Sequence, residues 1–346
     1  MPESLAGYTT LRLGGPAREL VHATSEQQLV DAVRRADEEG RPLLVLAGGS
    51  NLVVGDRGFD GTVVRVETSG ISVARDTCGG AMVTVAAGES WEGLVTRAVA
   101  EGWVGVEALA GIPGSVGATP IQNVGAYGQE VADTIASVRC WDRVLRGQQT
   151  FAASECGFGY RTSRFKRDPG RHVVLAVTFQ FPLGDLSAPV RYAELARVLG
   201  VEVGQRVPAA DVRDAVLALR GAKGMVCDPA DPDTWSAGSF FTNPLLDADA
   251  ADALPAGAPR WAQPDGRVKT SAAWLIEHAG FRRGHGNERV ALSGKHTLAL
   301  TNRGSGSTAD LLALAEEIQR GVRDRFGVWL VNEPVLVGCD LPVPAA

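Results

Sequence analysis

The stretch GIPGSVGATPIQNVGAYG, residues 111–128, holds five glycines and two prolines among small apolar residues, and it has no Lys, Arg, Asp or Glu. Glycine permits positive φ angles and lets a backbone approach a ligand closely. A glycine-dense segment without basic side chains therefore indicates a loop that cradles phosphate with main-chain N–H groups. Tight turns at the edge of a sheet would have the same composition. The stretch alone leaves both interpretations open.

A second glycine-rich segment lies upstream. Residues 43–47, LLVLA, have the pattern of a fully buried strand, and Gly48-Gly49-Ser50-Asn51 follow directly. Ligands of α/β layers bind near the carboxyl ends of strands, so this segment is a second candidate for anion binding. Ser25 and Gln28 predict a capping box at the start of the preceding helix. Further strands are predicted near 62–67, 71–75, 81–87, 134–142 and 172–180, with a helix near 90–100.

In the second half of the chain, the sequence pattern predicts helices near 211–220, 271–279 and 308–325, and strands near 297–302 and 328–332. The sequence GSGSTA, residues 304–309, followed by a helix, a strand and Glu333, also copies the order of a dinucleotide-binding fingerprint. Ser307 and Asp310 instead fit an ordinary helix start. We expect the helix start, with dinucleotide binding as the alternative.

Composition limits the function classes. A chain of 346 residues predicts two or three packed units, and 45% hydrophobic residues with a mean hydropathy of +0.01 indicate a globular protein. A net charge of −6 gives no electrostatic footprint for nucleic acid. Five scattered cysteines without a CxxC pair oppose a disulfide framework and a zinc site. We expect no metal, no membrane segment and a cytoplasmic location.

Six segments carry a resemblance to a known family. They are GGSNLVV (48–54), GIPGSVGATPIQNVGAYGQE (111–130), CGFGYRTSRFK (156–166), AGSFFTNP (237–244), VKTSAAWLIEHAGFRRG (268–284) and NEPVLVG (332–338). In this order they resemble the UDP-N-acetylenolpyruvoylglucosamine reductase (MurB) family. Residues 190–195, VRYAEL, look like the tyrosine-bearing loop of its longer, type I members.

The resemblance implies an α+β fold with a two-subdomain FAD-binding domain of the vanillyl-alcohol oxidase type and a separate α+β substrate-binding domain. The expected boundaries are 1–68 for the first FAD-binding subdomain and 69–210 for the second, which includes a substrate-covering loop near 190–195. The substrate-binding domain is expected at 211–346, with the C-terminal tail packing back on the FAD-binding domain.

The implied activity is reduction of the enolpyruvyl group of UDP-N-acetylglucosamine enolpyruvate to UDP-N-acetylmuramate, a step of peptidoglycan precursor synthesis. FAD would be bound non-covalently, NADPH would be the co-substrate, and hydride would pass through flavin N5 to the terminal carbon. We expect a monomer. An FAD-dependent oxidase of the same fold is the alternative.

The resemblance also implies roles for particular residues. Arg161 would hold the substrate carboxylate, Ser239 would donate a proton to the neighbouring carbon, and Glu333 would polarise the same region. Residues implied to bind FAD are Gly48, Gly49, Ser50, Asn51, Leu52, Gly111, Ser115, Gly117, Asn123 and Gly125. Residues implied to bind substrate are Tyr160, Tyr192, Lys223 and Asn243. A surface arginine, a turn serine and a strand-end carboxylate are the plainer interpretations of the catalytic set.

Overall fold

The computed structural model describes residues 3–76 and 80–342, so Cys78 lies outside the described residues. The chain forms two compact units. The first comprises the chain up to Ala17, Gly49–Phe59 and the chain from Lys223 onward, and the second comprises Arg18–Gly48 and Asp60–Ala222. The predicted boundaries at 68/69 and 210/211 remain a prediction.

The described residues form α-helices and mostly short strands. The helices are α1 (Glu26–Glu38), α2 (Trp91–Ala100), α3 (Arg164–Arg167), α4 (Ala193–Leu199), α5 (Ala209–Ala222), α6 (Ala248–Asp252), α7 (Ala272–His278) and α8 (Thr308–Phe326). The strands are β1 (Ala17–Ala23), β2 (Leu43–Leu46), β3 (Leu52–Val54), β4 (Phe59–Val66), β5 (Ile71–Asp76), β6 (Gly80–Ala86), β7 (Gly125–Ala126), β8 (Gln129–Glu130), β9 (Ile135–Asp142), β10 (Gly147–Ala152), β11 (His172–Phe181), β12 (Leu245–Leu246), β13 (Trp261–Ala262), β14 (Val268–Lys269), β15 (Val290–Leu292), β16 (Leu300–Asn302) and β17 (Val335–Val337).

The second unit is built on a five-stranded sheet with the order β10-β9-β11-β6-β5, whose pairs are all antiparallel. A smaller sheet has the order β1-β4-β2, and β2 runs parallel to β4. Along β6 buried residues alternate with less buried ones, and apolar residues fill most of β11. Both patterns are typical of central strands. The aromatic side chains of β11 pack with those of neighbouring segments, as in the stacked Trp103 and Phe181 rings, whose centroids lie 5.8 Å apart.

Two local predictions in this unit need correction. The strand at 43–47 is not fully buried, because β2 is an edge strand; Leu46 is buried but Val45 is 37% exposed. Ser25 does cap α1 by accepting from the Gln28 N–H. The Gln28 side chain, however, accepts from the Thr24 N–H, so the reciprocal half of the predicted capping box is displaced by one residue.

The first unit packs α7 and α8 around a separate apolar core that includes Phe240, Phe241 and Ile318. Strands β15 and β16 form an antiparallel pair, and β17 runs parallel to β3. The predicted strand at 328–332 is wrong. Those residues make one isolated bridge, Phe241 with Asn332, and Pro334 supplies no N–H to continue it.

The glycines at 304 and 306 belong to a helix start, as expected. Ser307 caps α8 through the Asp310 N–H, and the Asp310 side chain accepts from the Ser307 N–H in return. The Asn302 side chain accepts from the N–H groups of Gly304 and Gly306, so these donors serve the turn. A dinucleotide fingerprint would need a parallel sheet here, whereas β16 is paired antiparallel.

Across residues 3–76 and 80–342, none of the helices combines the length and apolar character needed to cross a bilayer.

We predict that Asp142→Asn lowers the free energy of unfolding at pH 7 by about 2 kcal/mol, through loss of buried charge-assisted hydrogen bonds. Burial raises the pKa of Asp142, but donors from Arg171 and from the Leu145 and Val144 N–H groups outweigh burial and lower it. Because the folded-state pKa is lowered, this stabilisation is present above the unfolded-state pKa and lost as pH falls through the folded-state value.

Urea unfolding of both proteins from pH 7 to pH 3 measures this contribution. The difference between wild type and Asp142→Asn should shrink below about pH 4, near the unfolded-state pKa of an aspartate. A difference that grows on acidification would contradict the assignment.

Candidate active site

The glycine-rich loop at 111–128 is held at its first residue by side chains from two helices of the second unit. Glu92 of α2 accepts the Gly111 N–H at 2.6 Å, and Arg220 of α5 donates to the Gly111 carbonyl at 3.3 Å. Arg213 of α5 donates to the same Glu92 at 3.0 Å. The loop therefore begins from a position fixed by two helices.

The far end of this loop is held by Asn123, which is 1% exposed and has a φ of +49°. Its amide nitrogen donates to the Glu130 carboxyl at 2.6 Å and to the Gly159 carbonyl at 3.2 Å, and its oxygen accepts the Ala132 N–H at 3.2 Å. These contacts occupy the Asn123 side chain within the protein. Its predicted role in FAD binding can therefore run through the shape of the loop.

The middle of the loop packs backbone against backbone. A Cβ on Gly117 would lie 2.9 Å from the Ala87 Cα, besides 2.5 Å from its Cβ, and a Cβ on Gly48 would lie 2.7 Å from the Gly114 Cα. Such distances exclude any larger residue without displacement of the backbone. Glycine at both positions brings bare main chain together, which is the construction expected of a phosphate cradle.

Two features of this unit fit an anionic cofactor. The Ser115 hydroxyl is buried and, among the described residues, has no hydrogen-bond partner, so it is available to a ligand. Burial lowers the pKa of the Arg220 guanidinium, with Tyr127 and Glu92 acting in the opposite direction. A diphosphate near this cation would offset the cost of burying it. The residues present therefore fit FAD, and Arg220 is a candidate that sequence reasoning missed.

The first unit contains the remaining residues of the second glycine-rich segment. A Cβ on Gly49 would lie 1.9 Å from the Tyr8 carbonyl oxygen, and the Gly49 φ of +58° is also unfavourable for other residues. The Gly49 carbonyl accepts the Thr10 N–H at 3.2 Å. Asn51 accepts the Val335 N–H through its carbonyl, and Leu52 begins β3.

Arg161 has a left-handed backbone, with φ of +51°. Its guanidinium donates to the Gly125 carbonyl at 2.7 Å, and its own carbonyl accepts from the Lys166 amine at 3.0 Å. The guanidinium carbon lies 5.5 Å from the centre of the Tyr160 ring. A strained non-glycine residue whose side chain is held beside a glycine loop is typical of a functional site.

Tyr192 immediately precedes α4 and is 46% exposed. Its ring meets the edge of the Tyr127 ring at a centroid distance of 5.5 Å. Tyr127 belongs to the glycine-rich loop, so the predicted substrate-covering segment contacts the predicted FAD-binding segment within this unit.

Ser239 and Glu333 come together in the first unit although they are distant in sequence. The Glu333 N–H donates to the Phe240 carbonyl at 2.8 Å, next to Ser239, and Phe241 bridges Asn332. The two buried phenylalanines anchor the Ser239 segment in the core. A pairing of adjacent backbones thus sets the positions of both residues, whereas Arg161 belongs to the second unit.

The other predicted substrate-binding residues of the first unit are Lys223 and Asn243. Lys223 follows the end of α5, outside any helix or strand of this unit. The Asn243 side-chain oxygen accepts the Ala272 N–H at 3.0 Å, so it supports the start of α7.

Known proteins are similar to this chain over most of its length. A family described as "UDP-N-acetylenolpyruvoylglucosamine reductase, C-terminal domain" matches residues 229–337, and one described as "FAD binding domain" matches residues 17–145. A UDP-N-acetylenolpyruvoylglucosamine reductase of Cutibacterium acnes is 59% identical over 97% of this chain and 90% of its own length. The chain belongs to the UDP-N-acetylenolpyruvoylglucosamine reductase family.

Two further comparisons agree with this assignment. A reductase of the same name from Streptomyces avermitilis is 56% identical over 97% of this chain and 94% of its own length. The crystal structure of the MurB reductase from Thermus caldophilus has a TM-score of 0.63 and 24% identity, covering 97% of this chain and 98% of its own, which shows a common fold.

The comparisons confirm several predictions. The family, the α+β fold with an FAD-binding domain and a separate C-terminal domain, and the class of FAD-dependent oxidoreductase were all predicted correctly. Assignment to this family also agrees with a role in peptidoglycan precursor synthesis. The roles of individual site residues remain predictions.

We predict that Gly49→Ala abolishes FAD retention, because the new Cβ would collide with the Tyr8 carbonyl. Gly40→Ala is the matched control, since Gly40 has a similar φ of +62° but nothing within 4 Å of its would-be Cβ. Gly40→Ala should cost only about 1 kcal/mol of stability and keep the flavin. The ratio of flavin to protein absorbance after gel filtration measures retention; equal retention by both variants would refute the steric argument.

Proposed function

We propose that this protein reduces the enolpyruvyl group of UDP-N-acetylglucosamine enolpyruvate with NADPH as reductant, giving UDP-N-acetylmuramate. Bound FAD would supply the hydride transfer between the two substrates. The protein would bind, orient and protonate the enolpyruvyl group. We further propose that it acts as a cytoplasmic monomer with a dissociable flavin.

The observation that carries this proposal is the match to curated reductases at 52–59% identity over at least 97% of the chain. Similarity at this level extends over both the FAD-binding and the C-terminal family regions. The buried Ser115 hydroxyl and the partly buried Arg220, which donates to the Gly111 carbonyl of the glycine-rich loop, support a phosphate-bearing cofactor.

Arg161 is proposed to hold the carboxylate of the enolpyruvyl group. Hydride addition to the terminal carbon leaves negative charge on the neighbouring carbon and on that carboxylate. A guanidinium offers two parallel N–H donors to a carboxylate, and its charge would stabilise the developing anion. Its bond to the Gly125 carbonyl fixes its orientation before substrate arrives, which limits reorganisation during the reaction.

Ser239 is proposed to give its hydroxyl proton to the carbon adjacent to the carboxylate. An alcohol is a weak acid, but an enolate-like carbon is basic enough to accept its proton, and water can then reprotonate the serine. Glu333 is proposed to polarise the same region. The pairing of residues 240–242 with 331–333 supports a common action of Ser239 and Glu333.

The remaining site residues are proposed to bind the two ligands. For FAD they are Gly48, Gly49, Ser50, Asn51, Leu52, Gly111, Ser115, Gly117, Asn123 and Gly125. Tyr160, Tyr192, Lys223 and Asn243 are proposed for the nucleotide-sugar substrate, with the compact Lys223 ammonium on its diphosphate.

Product analysis tests the proposed reaction. Purified protein loaded with FAD should convert the enolpyruvyl substrate to a product that has gained two hydrogens, with one NADPH consumed for each product formed. The yield should be the same in air and under argon. An oxidase would instead consume oxygen, release hydrogen peroxide and leave the enolpyruvyl compound unchanged, and this result would overturn the proposal.

We predict that Ser239→Ala still allows NADPH to reduce the flavin but slows its reoxidation by the enolpyruvyl substrate by at least about a hundredfold, the range of one lost general acid. Stopped-flow absorbance under argon separates the half-reactions. Ser236→Ala serves as a control because it removes only the hydroxyl that accepts the Gly238 N–H, and it should keep both half-reactions. Equal loss of both half-reactions in Ser239→Ala would contradict the proton-donor role.

We predict that Arg161→Ala costs about 3 kcal/mol of transition-state stabilisation, measured as the fall in kcat/KM for the enolpyruvyl substrate. Arg146→Ala is a matched control, because Arg146 has nearly the same left-handed backbone, with φ of +50°. Any effect of alanine at a left-handed position is therefore common to both variants. Normal turnover by Arg161→Ala would refute its placement.

A further inference from the structure

Glu107 is a fully buried acid in the second unit, with 0% of its surface exposed. One carboxyl oxygen accepts the Gly105 N–H at 2.7 Å. The other accepts the Ala188 N–H at 2.6 Å and the Gln129 side-chain amide at 3.0 Å. Within residues 3–76 and 80–342, its polar partners are neutral N–H groups and include no cation.

Two of these donors lie in or beside segments that the sequence analysis assigned to the site. Gln129 directly follows the glycine-rich stretch, and its own side-chain oxygen accepts the Ala108 N–H at 2.9 Å. Ala188 lies shortly before Tyr192 on the segment that enters α4. A single carboxyl group therefore joins the glycine-rich stretch to the approach of the Tyr192 segment.

The segment before Tyr192 is fixed on its other side by backbone pairing. Val190 donates to the Gln205 carbonyl at 2.9 Å and accepts the Gly204 N–H at 2.8 Å, and Ser187 donates to the Val207 carbonyl at 2.7 Å. The Ala188 N–H points instead to Glu107. Glu107 is thus the group that ties this segment to the turn at 105–108.

Beyond Ala188 the chain touches the glycine-rich stretch again. The Tyr192 ring meets the Tyr127 ring, and a Cβ on Gly128 would lie 2.7 Å from the Arg191 Cβ. Arg191 also approaches the Asp133 carboxyl at 3.5 Å, although both side chains are about half exposed. These outer contacts are exposed, so they are weak unless the buried end is held.

We propose that Glu107 is a positioning residue for the nucleotide-sugar substrate: it holds the Tyr192 segment against the glycine-rich stretch so that the Tyr192 side chain is presented in one arrangement. The inference rests on the proposed function, since it assigns Tyr192 to that substrate. Glu107 itself touches no reacting atom. Its effect on the reaction comes through the Ala188 N–H.

Glu107→Gln tests this role. Glutamine offers one oxygen where glutamate offers two, so at least one of the three N–H donors must face an NH₂ group. The KM for the enolpyruvyl substrate should rise by about tenfold, the order expected for one lost buried hydrogen bond, while flavin reduction by NADPH keeps its rate. Trypsin should also cleave more rapidly after Arg191, a readout that needs no catalytic activity.

A double variant separates positioning from stability. In Glu107→Gln with Gln129→Glu, the new amide donates to the new carboxylate, and its oxygen can still accept the Gly105 N–H. The Ala188 N–H then faces the amide nitrogen and has no acceptor. The melting temperature should recover relative to Glu107→Gln, whereas the KM and the rate of cleavage after Arg191 should stay raised.

Asp142→Asn is the matched control, because it also weakens the hydrogen bonds of a buried carboxylate in the second unit. Its donors come from Arg171 and the turn at 144–145, away from the Tyr192 segment. It should lower the melting temperature but leave the KM and the cleavage after Arg191 unchanged. In Glu107→Gln, the double variant and Asp142→Asn, a KM and a cleavage rate that rise whenever the melting temperature falls and recover whenever it recovers would show that Glu107 has only a structural role. That result would overturn the inference.

The two proposals can fail separately. Faster cleavage after Arg191 in both Glu107 variants, together with an inactive wild-type protein, would refute the proposed function. The positioning of the Tyr192 segment by Glu107 would then still stand. If the wild-type protein is active and both Glu107 variants keep its KM and its rate of cleavage after Arg191, only the positioning role of Glu107 is refuted.

Discussion

Side chains from outside the glycine-rich stretch at 111–128 hold its backbone at both ends, and the proposed binding of FAD depends on the shape that they impose. Glycine gives the backbone freedom and close approach, and that same freedom costs conformational entropy on folding. Glu92 and Arg220 fix the first residue, Asn123 fixes the turn near the far end, and Glu107 with Gln129 fixes the chain just beyond that turn. Polar side chains, most of them from outside the loop, thereby hold its glycine-rich backbone in one shape.

In the first unit, main-chain hydrogen bonds position the predicted site residues. Ser239 and Glu333 are positioned by a short run of backbone hydrogen bonds between residues 240–242 and 331–333, with Phe240 and Phe241 buried beneath. The proton donation proposed for Ser239 requires a defined position more than a perturbed pKa, because the acceptor is a strongly basic carbon. Main-chain pairing over a packed core is a rigid way to provide it.

Much of this could be predicted from the sequence, and the failures have physical causes. Helices with clear periodicity and caps, such as α1 and α8, were found within a few residues, and the Ser307 helix start was preferred correctly over a dinucleotide fingerprint. The prediction of full burial for residues 43–47 was wrong, because an apolar run does not reveal whether its strand lies at the edge of a sheet. Glu107 and Arg220 were missed because a single charged residue in an apolar or helical stretch gives no sign that it is buried against a distant loop.

The visible spectrum of the wild-type protein under argon tests the central claim most directly. On the present account, the visible bands of the oxidised flavin bleach on addition of NADPH and return on addition of UDP-N-acetylglucosamine enolpyruvate, without oxygen. That sequence of changes would establish the cofactor, the reductant and the oxidising substrate together. Flavin that bleaches but returns only when air is admitted would contradict the account and favour an oxidase.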